Sequence, residues 1–333
     1  MAQARTQVGL ADVASVLQDA KRVAVIGHLR PDADAIGAVT ALVTVLRRRG
    51  IEARGFVGQT ERFAENLYTI PGARDVAVGA HLMDADLYVC VDCGSLNRTG
   101  AFAEDLKEHS DRLIVIDHHA SNEGFGRWNH VDAAAESTTV ILYDLFAQLG
   151  EKIDTSVAHC LYAGLVTDTG SFRWGSPRMH VIAADLIDRG IDARQIATDL
   201  IDEVSAYDLA MIGSVLAGVR VLQIDGVTAA VLVADHETVV GHSASAVESL
   251  VDFVHSVTGT DLGVVFKATS ARTWAVSLRS RVYDVSQVAA RQGGGGHRPA
   301  AAYTTAGTRQ EVIDELVAAV RDISPQAVGG TTR

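Results

Sequence analysis

The sequence predicts a two-domain α/β protein: a mostly parallel sheet with helices on both faces, joined by a helical connector to a smaller α/β domain. Three observations predict it. Strand-like and helix-like segments alternate through the first half. The strand-like runs are continuously apolar rather than alternating, as strands buried on both faces require. From about 180 to 222 the pattern turns helical throughout, and strand-like runs then resume. The corresponding division is 1–187, a connector over 188–222, and 223–333.

In chain order, KRVAVIGH (21–28) predicts a strand. Ala38 to Arg49 predicts a helix, closed by three arginines and Gly50, since basic residues and glycine suit a helix C-terminus. IEARGFV (51–57), DLYVCVDC (86–93) and RLIVIDHH (112–119) predict further strands, and LYAGLVTD (161–168) a helix. Such alternation implies a largely parallel open sheet. In the second domain, VTAAVLVAD, LGVVFKA and TWAVSLRS predict strands and 245–257 a helix.

Composition narrows the class. At 333 residues, 48% hydrophobic and 21% charged, the chain is long enough for two cores. No apolar run is long enough for a membrane span, and the N-terminal MAQARTQVGLADVASVLQDA lacks the apolar core of a signal peptide. Three cysteines, an odd and sparse set, suit a reducing cytoplasm without a disulfide framework. Cys90 and Cys93 form a lone C-x-x-C with no second pair, and Cys90 lies inside an apolar run, so buried thiols are expected. The net charge of −12 argues against a protein that coats long nucleic acid. Yet Gly263 to Thr305 carries six basic residues and one acid, Asp284. That local balance suits a compact anion better than a polymer, although a solvated charged face would give the same count.

The chemistry gathers where apolar runs stop. KRVAVIGH ends at His28 and is followed by Asp32 and Asp34; YVCVD ends at Asp92; RLIVIDHH ends at Asp117, His118 and His119; LYAGLVTD ends at Asp168. In open α/β sheets, ligands collect beyond the carboxyl ends of the strands. Any one of these aspartates could be a helix cap. Four separate segments ending alike point instead to a shared site. Four carboxylates (Asp32, Asp34, Asp92, Asp168) and two neutral imidazoles (His28, His118) carry a charge of −4. Two divalent cations would neutralise it, whereas without cations the acids would raise one another's pKa. A mixed imidazole and carboxylate set fits Mn²⁺ best, with Co²⁺ or Mg²⁺ as substitutes, Mg²⁺ being least suited because it favours oxygen.

PDADAIGA, VDCGSLNRTG, IDHHAS and LVTDTGSF resemble, in order, the four motifs of the DHH phosphoesterase superfamily, and GGGGHRPAAAY resembles the glycine–histidine motif of its DHHA1 subfamily. The resemblance runs from about residue 21 to 325, and within the superfamily size and layout are most similar to the NrnA-type enzymes. It implies that His28 and Asp32 hold one Mn²⁺, that Asp34, His118 and Asp168 hold a second, and that Asp92 bridges them. It implies His119 facing the scissile phosphate, as a proton donor or a charge stabiliser, with Asp117 orienting an imidazole. Arg98 is a further candidate for a phosphate contact. Where the family often has serine after the glycine of its first motif, Ala38 stands here, which affects a helix-start hydroxyl and no ligand.

Four glycines in a row are most often a flexible linker. Followed by His297 and Arg298 and set among arginines, Gly294, Gly295 and Gly296 suit an anion site built from backbone N–H groups. The resemblance adds Arg279 as a second nucleotide contact. The function implied is a cytoplasmic phosphoesterase with two Mn²⁺ ions acting on short oligoribonucleotides, on 3′-phosphoadenosine 5′-phosphate (pAp), or on cyclic di-AMP, with a homodimer as one candidate assembly. A family II inorganic pyrophosphatase shares the metal motifs but would be expected to carry a compact lysine- and arginine-rich clamp. A RecJ-like exonuclease needs a long basic channel that this composition does not offer. A non-catalytic nucleotide sensor would have lost ligands, and all six positions are filled.

Overall fold

The computed structural model describes residues 6–202 and 204–321; the first five residues of the N-terminal stretch lie outside them. The chain divides into two compact units, Met1–Glu203 and Val204–Arg333.

The first unit carries strands β1 (Thr6–Gln7), β2 (Arg22–Gly27), β3 (Glu52–Val57), β4 (Ala77–Val78), β5 (Leu87–Val91), β6 (Leu113–Asp117) and β7 (Trp128–Val131). Its helices are α1 (Leu10–Gln18), α2 (Ala33–Arg48), α3 (Ala103–Glu108), α4 (Thr138–Gln148), α5 (Thr155–Asp168), α6 (Pro177–Asp188) and α7 (Ala193–Ala197). The strands form one sheet in the order β1-β7-β6-β5-β2-β3-β4, with every pairing parallel. Both faces are covered, and β2 shows it: Val23 and Val25 join one apolar core while Ala24 and Ile26 join another. That is why its run is continuously apolar. The chain proceeds outward from β2 to β3 and β4 on one side, and from β5 to β6 and β7 on the other. The crevice between β2 and β5 is therefore a topological switch point, where ligands of such sheets bind.

The second unit carries α8 (Ala206–Ala217), β8 (Arg220–Ile224), β9 (Val227–Ala234), α9 (His236–Val239), α10 (Ala244–His255), β10 (Leu262–Ser270), β11 (Thr273–Ser280), α11 (Val285–Arg291), β12 (Gly295–His297), β13 (Ala300–Ala306) and α12 (Arg309–Arg321). Its six strands are ordered β12-β13-β11-β10-β9-β8.

Three elements differ from expectation. The first long helix begins at Ala33, five residues earlier than Ala38, because Asp32 caps it: Asp32 Oδ1 accepts from the N–H groups of Asp34 and Ala35 at 3.1 and 3.0 Å. The stretch 188–222 is shared between the units. Ile191 and Ile196 enter the first core and Met211, Ile212 and Val215 the second unit's, while the helical pattern stops at Gly218 and Arg220–Ile224 is a strand. Within GGGGHRP, Gly295–His297 form an edge strand rather than an open loop: β12 pairs antiparallel with β13. A Cβ on Gly294 would lie 2.1 Å from the Ala302 carbonyl oxygen, and one on Gly296 2.6 Å from that of Ala300. Glycine there admits another backbone. Among the described residues, no helix is long and apolar enough to cross a membrane.

Candidate metal centre

Three neighbouring strands deliver the site. β2 leads into His28, β5 into Asp92 and β6 into His118, and their ring and carboxylate atoms meet at the carboxyl edge of the sheet. Asp92 takes a left-handed backbone (φ 57°) directly after β5, a strained conformation for a non-glycine residue that functional sites often retain. It is buried, and its two oxygens face different partners. Oδ2 lies 3.4 Å from His28 Nε2, and Oδ1 lies 3.6 Å from His118 Nε2. Asp32 Oδ2 stands 3.5 Å from His28 Nε2, so one carboxylate caps α2 with one oxygen and faces the imidazole with the other. Asp168, on the last turn of α5, brings Oδ2 to 3.2 Å from His118 Nε2. Among the groups that result, His28–Asp32–Asp92 and Asp34–Asp92–His118 each have donor atoms within 4.8 Å of one another, and Asp92 belongs to both, as well as to a third with Asp117 and His119.

The spacing and charge suit a cation. Nitrogen–oxygen separations of 3.2–3.6 Å are long for a hydrogen bond. They are natural for two donors sharing one ion at roughly 2.1 Å each. His28 Nδ1 lies 2.7 Å from the Leu29 carbonyl and 2.8 Å from Arg98 Nη2, while its Nε2 faces Asp32 and Asp92. Burial, with the charges of Asp92 and Asp168, pushes the Asp34 carboxyl well above its ordinary range, and burial likewise raises Asp168 to about 6 against the pull of His118. Burial opposes charge on His28 and His118, yet the facing carboxylates outweigh it and raise both. A cation would relieve these conflicts together, so the residues suit a divalent cation.

The supporting contacts come largely from residues with no signal in the sequence. Asp34 is fully buried, and its Oδ2 and Oδ1 accept from the N–H groups of Thr138 and Thr139 at 2.7 and 2.9 Å. Thr138 Oγ1 also donates to Asp92 Oδ1 at 3.1 Å. The start of α4 thus holds two of the clustered carboxylates, whereas ESTT by itself reads only as a helix N-cap. Asp117 Oδ1 accepts from His119 Nδ1 at 2.8 Å, and its Oδ2 accepts from Asn122 at 2.6 Å. Burial opposes charge on His119, but Asp117 outweighs it and raises that imidazole above its ordinary range. Arg98 sets Nη2 2.8 Å from His28 Nδ1, on the outer side of that ring.

The remaining predicted residues lie in the second unit. Arg279 of β11 and His297 of β12 are both paired with Ala300 of β13, one on each side. Directly paired residues share a face of a sheet, so both side chains project over the same small alanine. Arg279 is half-buried, and burial lowers its guanidinium against the pull of Asp252 and Glu248. Gly294 precedes β12 and Arg298 follows it, exposed.

The chain is similar to known proteins over most of its length. Residues 22–165 match the model of the DHH family, N-terminal domain, and residues 229–324 that of the DHHA1 domain. A bifunctional oligoribonuclease and PAP phosphatase NrnA of Thermus thermophilus is 30% identical over 307 residues, covering 89% of this chain and 88% of the relative. A protein of the same description from Bacillus subtilis is 26% identical, covering 81% and 85%. Among solved structures, an exopolyphosphatase-related protein from Bacteroides fragilis superposes with a TM-score of 0.82 at 24% identity, covering 93% of this chain and 95% of that one.

Proposed function

The chain belongs to the DHH family, and on that footing we propose that it is a hydrolase, a phosphoesterase dependent on two divalent ions that cleaves small nucleotides in the cytoplasm. One observation carries the reading: Asp92 turns one oxygen toward His28 and the other toward His118, the arrangement of a carboxylate shared between two cations. His28, Asp32 and Asp92 would hold one ion; Asp34, Asp92, His118 and Asp168 would hold the other. When bound, two such ions supply a nucleophile from water at neutral pH and offset charge on the phosphoryl oxygens.

The chain's own groups do the rest. Asp117 fixes the ring of His119 and favours its protonated form. His119 can then stabilise the scissile phosphate or return a proton to the departing ribose oxygen. Arg98 neighbours His28 and adds positive charge at the rim. Arg279, His297 and Arg298, with the Gly294–Gly296 edge, would bind the non-reacting part of the nucleotide. The substrate class is short oligoribonucleotides, pAp and cyclic di-AMP. Support comes from relatives named for the first two and from a basic segment that suits a small anion.

The direct test offers purified protein with Mn²⁺ a dinucleotide, pAp, cyclic di-AMP and pyrophosphate in parallel. Hydrolysis of nucleotides but not pyrophosphate is expected, and turnover of pyrophosphate alone would overturn the reading. Chelation should abolish turnover, and Mn²⁺ should restore it better than Mg²⁺ because an imidazole belongs to each cluster. Undiminished turnover in excess chelator would exclude metal dependence.

Arg279→Ala and His297→Ala should raise KM by about tenfold, the scale of a lost charge-assisted contact, with bound Mn²⁺ unchanged. Metal titration checks this, and loss of an ion in either variant would remove these residues from substrate binding.

A further inference from the structure

A carboxylate shared by two ions must give each ion one oxygen, yet carboxylates also bind one ion with both. Asp92 has its oxygens divided, Oδ2 toward His28 Nε2 at 3.4 Å and Oδ1 toward His118 Nε2 at 3.6 Å. Its backbone is held, since the N–H donates to the Ile116 carbonyl at 3.0 Å and φ is 57°. That fixes where the side chain starts but not how the carboxylate plane is turned, because the terminal torsion of an aspartate is broad and soft. The imidazoles of His28, His118 and His119 stand 3.4–3.7 Å from the carboxylate oxygens, beyond the usual hydrogen-bond length. A closer group has to set the plane.

Thr138 is that group. Its Oγ1 donates to Asp92 Oδ1 at 3.1 Å, and both residues are buried away from bulk water. The donor is itself fixed. Thr138 is the first residue of α4 after the Ser137 cap; its N–H donates to Asp34 Oδ2 at 2.7 Å, and Ser137 Oγ accepts from the Val140 N–H at 3.2 Å. A β-branched side chain has few rotamers to escape into, and Val140, Ile141, Leu142, Leu145 and Phe146 anchor the helix in the core. The hydroxyl meets the oxygen that faces His118, so the other oxygen stays with the His28 cluster.

We propose that Thr138 is a positioning residue that keeps Asp92 a bridge: its hydroxyl pins one carboxylate oxygen, so each of two ions meets a separate oxygen. The proposal rests on the two-ion phosphoesterase reading and deepens it by naming what divides the shared carboxylate. Without the hydroxyl the carboxylate is free to turn, and the first ion can take both oxygens. The second ion then finds no oxygen of Asp92 directed at it. The loss falls on the second ion, whereas a general loosening of the site would weaken both.

Titration of the full chain with Mn²⁺, without substrate, tests it. Calorimetry reads the two affinities, and electron paramagnetic resonance separates a coupled pair of neighbouring Mn²⁺ ions from a single one. Thr138→Val keeps the side-chain shape and the N–H to Asp34 but removes the hydroxyl. It should bind the first ion as tightly as the parent does and the second about ten- to hundredfold more weakly, the scale of a lost supporting partner at a metal site. The coupled spectrum should then appear only at correspondingly higher Mn²⁺. Thr138→Ala, which also lacks the hydroxyl, should behave as Thr138→Val does, and Thr138→Ser, which retains it, should recover most of the second affinity. Both ions bound as in the parent, or both weakened alike, would overturn the proposal. So would a Thr138→Ser variant no better than Thr138→Val, which would make the residue a packing support only. A parent protein that binds no second ion would sink the two-ion reading and this proposal with it. A parent that binds two ions yet hydrolyses no nucleotide would sink the phosphoesterase reading alone, and the titrations would still decide the role of Thr138.

Discussion

Asp92→Asn is expected to reduce turnover of a short oligoribonucleotide by about a thousandfold or more, beyond the roughly ten- to hundredfold that losing a supporting residue costs a metal site. The substitution is chosen to isolate charge. Asparagine keeps the side-chain shape and, among non-glycine residues, tolerates the left-handed backbone that Asp92 occupies at φ 57°. What disappears is the anionic oxygen pair, one facing His28 and the other His118. Calorimetric titration should then show weakened Mn²⁺ binding at both clusters, since both contain Asp92. Stability of the metal-free protein should move the other way. Burial and the charges of Asp92 and Asp168 hold Asp34 well above its ordinary range, so the folded state strains to ionise it near neutral pH. Removing the Asp92 charge relieves part of that strain, and the metal-free variant should unfold no more easily than the parent. Such opposition between stability and activity marks a cluster kept for function. A variant that retained near-normal turnover with two ions bound would end the shared-carboxylate assignment.

How much of this was legible in the sequence follows from how local each signal is. His28, Asp92 and His118 stand out because each closes or directly follows a buried apolar strand, and a polar residue there is conspicuous. Asp32 was ambiguous for a physical reason: it is both a helix cap and a member of the cluster, one oxygen for each. β7 was missed because Asn129 and His130 interrupt its apolar pattern. Asn129 is nevertheless buried, with its amide bonded to the backbone of Gly126 on both the N–H and carbonyl sides. The hold of Thr138 and Thr139 on Asp34 spans more than a hundred residues, and no local pattern can report a pairing at that distance.

Gly164→Ala should lower turnover by about a hundredfold or more, the scale on which metal sites respond to displaced supports. By helix propensity alone the change should stabilise, since alanine is favoured over glycine by roughly 1 kcal/mol inside a helix. Gly164 lies within α5, and its backbone is helical, so no dihedral penalty applies. The space is already taken, however. The new Cβ would fall 2.2 Å from Asp34 Oδ1 and 2.4 Å from Thr139 Oγ1. Both are short polar side chains fixed from elsewhere, Asp34 by the N–H groups at the start of α4 and Thr139 by its bond with Ser137 Oγ. Neither can withdraw without breaking a buried hydrogen bond. Nor can the helices part cheaply, because α2 crosses α5 so closely that a Cβ on Gly37 would sit 2.4 Å from the Cys160 carbonyl oxygen. Overpacking at such a place typically costs about 1–3 kcal/mol, which a core of this size should survive, so the variant should fold while Asp34 is pushed off its two backbone donors. Circular dichroism and denaturation would establish the fold, and titration with Mn²⁺ would establish the site. Native-like structure with weakened binding at the cluster containing Asp34 is the expected outcome. Full turnover in the folded variant would show that the position of Asp34 is not needed for the chemistry.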